Sequence, residues 1–209
     1  MPWIILALAI IISYLTGSIP TAYIFGRIFK GIDIRKSGSG NIGATNALRV
    51  LGKKAGITVL ALDILKGFLA VFILSNLLKD KILIIPPEML GIILGIACIV
   101  GHNWTVFLNF KGGKGVATTL GVLLALAAEA AALKISLGLV VLTWVLFFLF
   151  FRIVSLASII AAISLPVYMV LFSAPYSLTL SAIILVFFII LRHRPNINRL
   201  MQGKEKKIF

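Results

Sequence analysis

Two short stretches hold most of the residues able to manage a charged ligand: 37–49, SGSGNIGATNALR, and 101–121, GHNWTVFLNFKGGKGVATTLG. Glycines let the backbone approach an anion closely, and the free amides at a helix start point towards it. In the first stretch Ser39, Asn41, Thr45 and Asn46 offer hydroxyl and amide groups, and Arg49 has the fork that grips phosphate oxygens. In the second, Lys111-Gly112-Gly113-Lys114-Gly115 runs directly into the apolar run 116–126, where Lys114 acts as a compact positive charge beside a helix N-terminus. It is not a Walker A loop, because Val116 follows Gly115 where Ser or Thr is required. The chemistry these residue types suit is phosphate handling.

The chain has two histidines, each beside a polar motif. His102 follows Gly101, and His193 sits between Arg192 and Arg194. No sequence-adjacent Cys, Asp or Glu completes a metal shell, so neither a metal nor another cofactor is expected. No Asp stands five positions after either, where Phe107 and Asn198 fall, so the HxxxxD acid–base pair of soluble and monotopic glycerolipid acyltransferases is missing. His102 reads as a packing residue within its motif and His193 as the functional one. Ser155, beside Arg152, is a further candidate for an anion site, and Asp63 with Lys66 reads as a structural pair inside a membrane span. The single cysteine, Cys98, lies in an apolar run and suits core packing.

These groups must be positioned by membrane helices. Mean hydropathy is +1.14, 61 % of residues are hydrophobic and only 12 % are charged, which excludes an ordinary soluble domain. The expected architecture is all-α, a single membrane-integral domain over 1–209. Its seven transmembrane helices fall near 3–25, 56–78, 89–107, 116–130, 135–151, 154–172 and 177–191. The first segment lacks a basic leader and reads as a retained span.

A net charge of +14 would suggest nucleic acid in a soluble protein, but its distribution does not. With seven spans, 16 of the 20 basic residues fall on one side, and Lys79, Lys81 and Lys134 face the other, balanced by Asp80, Glu88 and Glu129. The N-terminus is therefore expected outside and the C-terminus in the cytoplasm. Reading 116–151 as one helix would give six spans and turn the basic tail outward, against that rule. Every polar motif then lies on the cytoplasmic side and is read as converging on one site. Lys53 and Lys54 suit anionic headgroups of membrane phospholipids.

Taken together, SGSGNIGATN, GHNWTVFLNFKGGKGVATTLG, VSLAS and RHRPNINRLMQGKEKK resemble, in order and along essentially the whole chain, the membrane-integral acyl-phosphate:glycerol-3-phosphate acyltransferases, the PlsY family. The resemblance implies transfer of a fatty acyl group from acyl phosphate to the 1-hydroxyl of glycerol 3-phosphate. The products are lysophosphatidate and inorganic phosphate, in the first acylation of bacterial phospholipid synthesis. It implies a seven-helix bundle in the bacterial inner membrane, a cytoplasm-facing site and no metal; we expect a monomer. Carried over by motif, Ser39 and Arg49 would bind phosphoryl groups, Lys114 would hold phosphate, and Ser155 would line the pocket. His193 and Asn196 would complete it, with Asn41 and Thr45 in support. Acyl phosphate is already activated, so no covalent nucleophile is needed. With no obvious carboxylate base, a substrate phosphate is expected to take the hydroxyl proton, His193 being the rival base. A transporter would show a repeat and polar groups on both sides, and a lipid phosphatase would show a nucleophile with acid–base partners at recognisable spacing; neither pattern is present. A purely structural membrane protein would not need the motif loops.

Overall fold

The computed structural model describes residues 1–128 and 130–208. Among them the regular structure is helical, and it divides into two compact units, 1–126 and 127–209. Six segments are long and apolar enough to cross a membrane: Pro2–Lys30, Lys53–Leu78, Pro87–Leu108, Ala131–Phe151, Val154–Leu171 and Tyr176–Met201. Val116–Leu126 is apolar but shorter. At 1.5 Å per residue it extends about 16 Å, roughly half a hydrocarbon core.

The first unit contains α1 (Pro2–Ser18), α2 (Thr21–Lys30), α3 (Ala44–Leu51), α4 (Lys53–Leu78), α5 (Pro87–Asn103) and α6 (Val116–Leu126). The span expected over 3–25 is broken into α1 and α2. Pro20 forces Ile19 into an extended conformation, φ −55° and ψ 113°, and has no N–H to continue the ladder. With no hydrophobic drive between helices in lipid, small residues let backbones approach and pack. A Cβ at Gly17 would collide with the Cys98 carbonyl, and one at Gly101 with the Tyr14 carbonyl, which locks α1 against α5. Ser13 Oγ adds a bond to the Leu94 carbonyl at 2.6 Å. Gly67 lies on the Thr118 carbonyl and Gly121 on that of Ile64, so the short α6 is seated tightly on α4.

The second unit contains α7 (Ala131–Phe151), α8 (Val154–Leu171) and α9 (Tyr176–Met201). Trp144 Nε1 donates to Ser158 Oγ at 3.1 Å, and the Thr143 and Tyr168 hydroxyls meet at 2.9 Å, tying α7 to α8. Glu129, expected in the turn before Lys134, lies outside the described residues. The last span was expected to end at 191, with His193 in a tail. Instead α9 runs through Pro195 to Met201. Glu205 ties down Asn196 and Arg199 on its final turns, and Arg199, in the last turn, complements the negative end of the helix dipole.

Candidate active site

The segment 31–43 is built on one apolar anchor. Asp33 caps the 3-10 turn Ile34–Lys36 by accepting from the Arg35 N–H at 3.0 Å, and grips the Arg35 guanidinium at 2.6 Å. The hydrogen bond from Arg35, offset in part by burial, holds the Asp33 carboxyl at about 2. Ile34 is fully buried with Ala22, Ile42, Ala47, Val59 and Leu108. Past it the chain doubles back at Gly38 and Gly40, both in the left-handed region with φ 62° and 72°.

Asn46 organises that turn. It is 1 % exposed; its Oδ1 accepts from the Ser39 N–H at 2.8 Å, and its Nδ2 faces the carbonyls of Ile34, Ser37 and Asn41 at 3.3, 3.1 and 2.9 Å. Its carboxamide is thus committed to the loop. The sequence offered it as one polar group among several, and nothing in its type or spacing marked it as the organiser. Ser39 is presented exposed at the tip, Asn41 and Thr45 are half-buried at the entry to α3, and Arg49 is exposed on that helix.

The glycine turn 111–115 lies along 102–103. The Gly113 N–H donates to the His102 carbonyl at 3.0 Å. A Cβ at Gly112 would strike the His102 and Asn103 carbonyls, and one at Gly113 would strike the His102 ring. Gly115 has φ 78°, a conformation that favours glycine, and its carbonyl accepts from the Thr119 N–H at 2.7 Å to start α6. Lys114 is half-buried. Leu108, just before this turn, shares the buried cluster with Ile34, Ile42 and Ala47, so one apolar core anchors both glycine-rich segments.

Beneath them Asp63 and Lys66 form the expected buried pair, 2.8 Å apart. Thr21 Oγ1 also donates to Asp63 at 2.9 Å, and His102 Nδ1 lies 3.9 Å from the same oxygen. His102 therefore has a carboxylate neighbour that sequence adjacency did not reveal.

In the second unit Ser155 and Asn196 are brought together by Glu205. Its carboxylate accepts from Ser155 Oγ at 2.7 Å, from Asn196 Nδ2 at 2.5 Å and from Arg199 Nε at 2.6 Å. The Ile208 N–H donates to the Arg152 carbonyl at 3.0 Å and fastens the same tail. Burial would raise the Glu205 carboxyl, but the bonds from Ser155, Asn196 and Arg199 outweigh it and hold it below its usual value. The sequence reading missed Glu205; the signal was a lone acid within the basic run 199–207. His193, 2 % exposed, lies one turn before Asn196, with Nδ1 2.7 Å from the Ile189 carbonyl. A carbonyl oxygen only accepts, so Nδ1 carries the proton and Nε2 has the lone pair when the ring is neutral.

Long apolar helices and glycine-rich cationic loops define an integral, multi-pass membrane protein with a site suited to phosphorylated ligands. The glycerol-3-phosphate acyltransferase family matches over residues 7–203. Glycerol-3-phosphate acyltransferase 2 of Moorella thermoacetica is 45 % identical over 201 residues, covering 96 % of each chain. The glycerol-3-phosphate acyltransferase of Prochlorococcus marinus strain NATL2A is 42 % identical over 205 residues, covering 96 % of this chain and 97 % of the relative. Crystal structures of PlsY, an integral membrane glycerol 3-phosphate acyltransferase, superpose with TM-scores of 0.82 for the glycerol 3-phosphate form and 0.80 for the lysophosphatidic acid form. Both are at 40 % identity over 97 % of this chain and 94 % of theirs. The chain belongs to the membrane-integral glycerol-3-phosphate acyltransferase (PlsY) family.

Proposed function

We propose that the protein, acting over 1–209 as one acyltransferase domain, transfers a fatty acyl group from acyl phosphate to the 1-hydroxyl of glycerol 3-phosphate. The observation that carries this reading is the pair of glycine-rich, cation-bearing loops anchored on one apolar core, in a relative of an enzyme solved with glycerol 3-phosphate. Two polyanions must be held side by side, and the chain supplies cations and amides for that purpose.

Lys114 and Arg49 neutralise phosphate oxygens, and Ser39 contacts a phosphoryl group with Asn41 and Thr45 in support. Ser155, His193 and Asn196 are carried over by motif as further substrate contacts. The 1-hydroxyl oxygen forms a bond to the acyl carbon, and the bond from that carbon to the phosphate oxygen breaks. Inorganic phosphate leaves with the electron pair, and the hydroxyl proton passes to a substrate phosphate oxygen. Orientation of two bound reactants supplies most of the acceleration, with neither cofactor nor metal required. The lowered Glu205 carboxyl, engaged by three donors, is a weaker base than a phosphate dianion, which favours the substrate as proton acceptor.

In the same reading α6 crosses as a seventh, short span in a locally thinned bilayer. The N-terminus is outside, the C-terminus is cytoplasmic, and a monomer works in the bacterial inner membrane with its site facing the cytoplasm. Reconstitution in lipid tests the reaction. Glycerol 3-phosphate with palmitoyl phosphate is expected to give equal amounts of lysophosphatidate and phosphate without added metal. Product from palmitoyl-CoA alone would overturn the donor assignment.

A further inference from the structure

A histidine inside a membrane helix is costly unless its ring is engaged. His102 is 5 % exposed and its ring is flanked on two sides. On one side Nδ1 lies 3.9 Å from Asp63 Oδ1. That carboxylate is itself fixed, by Thr21 Oγ1 at 2.9 Å and Lys66 Nζ at 2.8 Å. Lys66 in turn donates to the Ile19 carbonyl at 2.8 Å, at the break between α1 and α2. On the other side the ring fills the space where a Cβ on Gly113 would project, next to Nε2, Cδ2 and Cε1. The Gly113 N–H is also bonded to the His102 carbonyl. One residue thus grips the middle of the glycine turn by backbone and by side chain, and links it to a buried ionic cluster.

We propose that His102 is a positioning residue for the phosphate-holding turn 111–115: its imidazole, packed beside Gly113, sets where the Gly113 backbone and hence Lys114 stand. Glycine is needed at 113 because the imidazole occupies the side-chain space. This rests on the reading of 111–115 as the phosphate loop, so the test reads phosphate binding directly, without acyl transfer.

Binding of inorganic phosphate and of glycerol 3-phosphate is measured by titration calorimetry on the reconstituted full chain, with His102→Ala, His102→Gln, Gly113→Ala and the His102→Ala/Gly113→Ala double variant. His102→Ala is expected to weaken binding of both ligands about 10- to 100-fold, while kcat with both substrates saturating stays within about threefold. His102→Gln, which refills the space, recovers most of the loss. Gly113→Ala alone costs more than about tenfold, but less than about threefold once the imidazole is gone. A residue that only filled the core would leave phosphate affinity of the folded variants unchanged. Wild-type affinity in His102→Ala, or an equal Gly113→Ala penalty in both backgrounds, overturns the proposal. Should His102→Ala fail to fold, His102→Ser, which also vacates the space beside Gly113, takes its place: a Gly113→Ala penalty undiminished in that background contradicts it. If the wild-type chain binds neither ligand, the phosphate-loop reading falls and takes this proposal with it; wild-type binding with an indifferent His102 removes this proposal alone.

Discussion

Asn46 shows how a side chain can serve a site without being available to the substrate. Three carbonyls and one amide converge on its carboxamide, and a buried polar group left unpaired costs about 1–3 kcal/mol. Asn46→Ala is therefore expected to destabilise the protein by roughly 2–4 kcal/mol. Asn46→Asp, which sets a carboxylate against three carbonyl oxygens, is expected to abolish activity; thermal unfolding with the acyltransfer assay checks both. Lys114 is a different case, since its proposed partner is the ligand. Losing one charge-assisted contact removes about 1.5–3 kcal/mol, so Lys114→Ala is expected to lower kcat/KM roughly 10- to 150-fold, with Lys114→Arg in between. Glu205 gives a pH signature. Its folded carboxyl lies below the usual 4.5, so the stability it contributes is present above that value and is lost as pH falls below it. Glu205→Gln should lower Tm at pH 7 and flatten the decline of Tm with pH below about 4.5; unchanged Tm curves would contradict the tie seen at Ser155 and Asn196.

Helix packing depends on positions where a side chain would not fit. A Cβ at Gly121 would run into the Ile64 carbonyl, whereas one at Gly138 meets nothing within 4 Å. Gly121→Ala is expected to lower Tm by about 4–10 °C, and Gly138→Ala to leave it unchanged or raise it slightly. Equal effects at the two positions would show that the α4–α6 seam is not close-packed. The apolar runs made most helices legible, because length and hydropathy decide whether a segment spans. The break at Ile19–Pro20 was marked by its proline, but an apolar run on both sides hid it. The extension of α9 to Met201 was not legible, because it depends on Glu205, reached only once the chain has turned back. The same limit applies to the site. Residue type and glycine spacing make Ser39, Arg49 and Lys114 candidates, but the committed carboxamide of Asn46 and the Asp63 neighbour of His102 come from tertiary contact alone.

At the scale of the molecule, charge asymmetry leads to an orientation that can be read chemically. Cys98 is buried and is the chain's single cysteine, so a Cys98→Ala background carries single probes cleanly. A membrane-impermeant maleimide is expected to label Lys81→Cys in intact cells, and Lys206→Cys only after permeabilisation; the reverse pattern would invert the topology. The account's central claim is that holding two phosphates in place, with the substrate taking its own proton, suffices for acyl transfer. The most direct test is kcat of His193→Gln with acyl phosphate and glycerol 3-phosphate both saturating. The account predicts turnover within about tenfold of wild type, the loss appearing mainly in KM. A loss in the range of general-base removal, about 10²–10⁴-fold in kcat with Tm unchanged, would contradict it and make the imidazole the base.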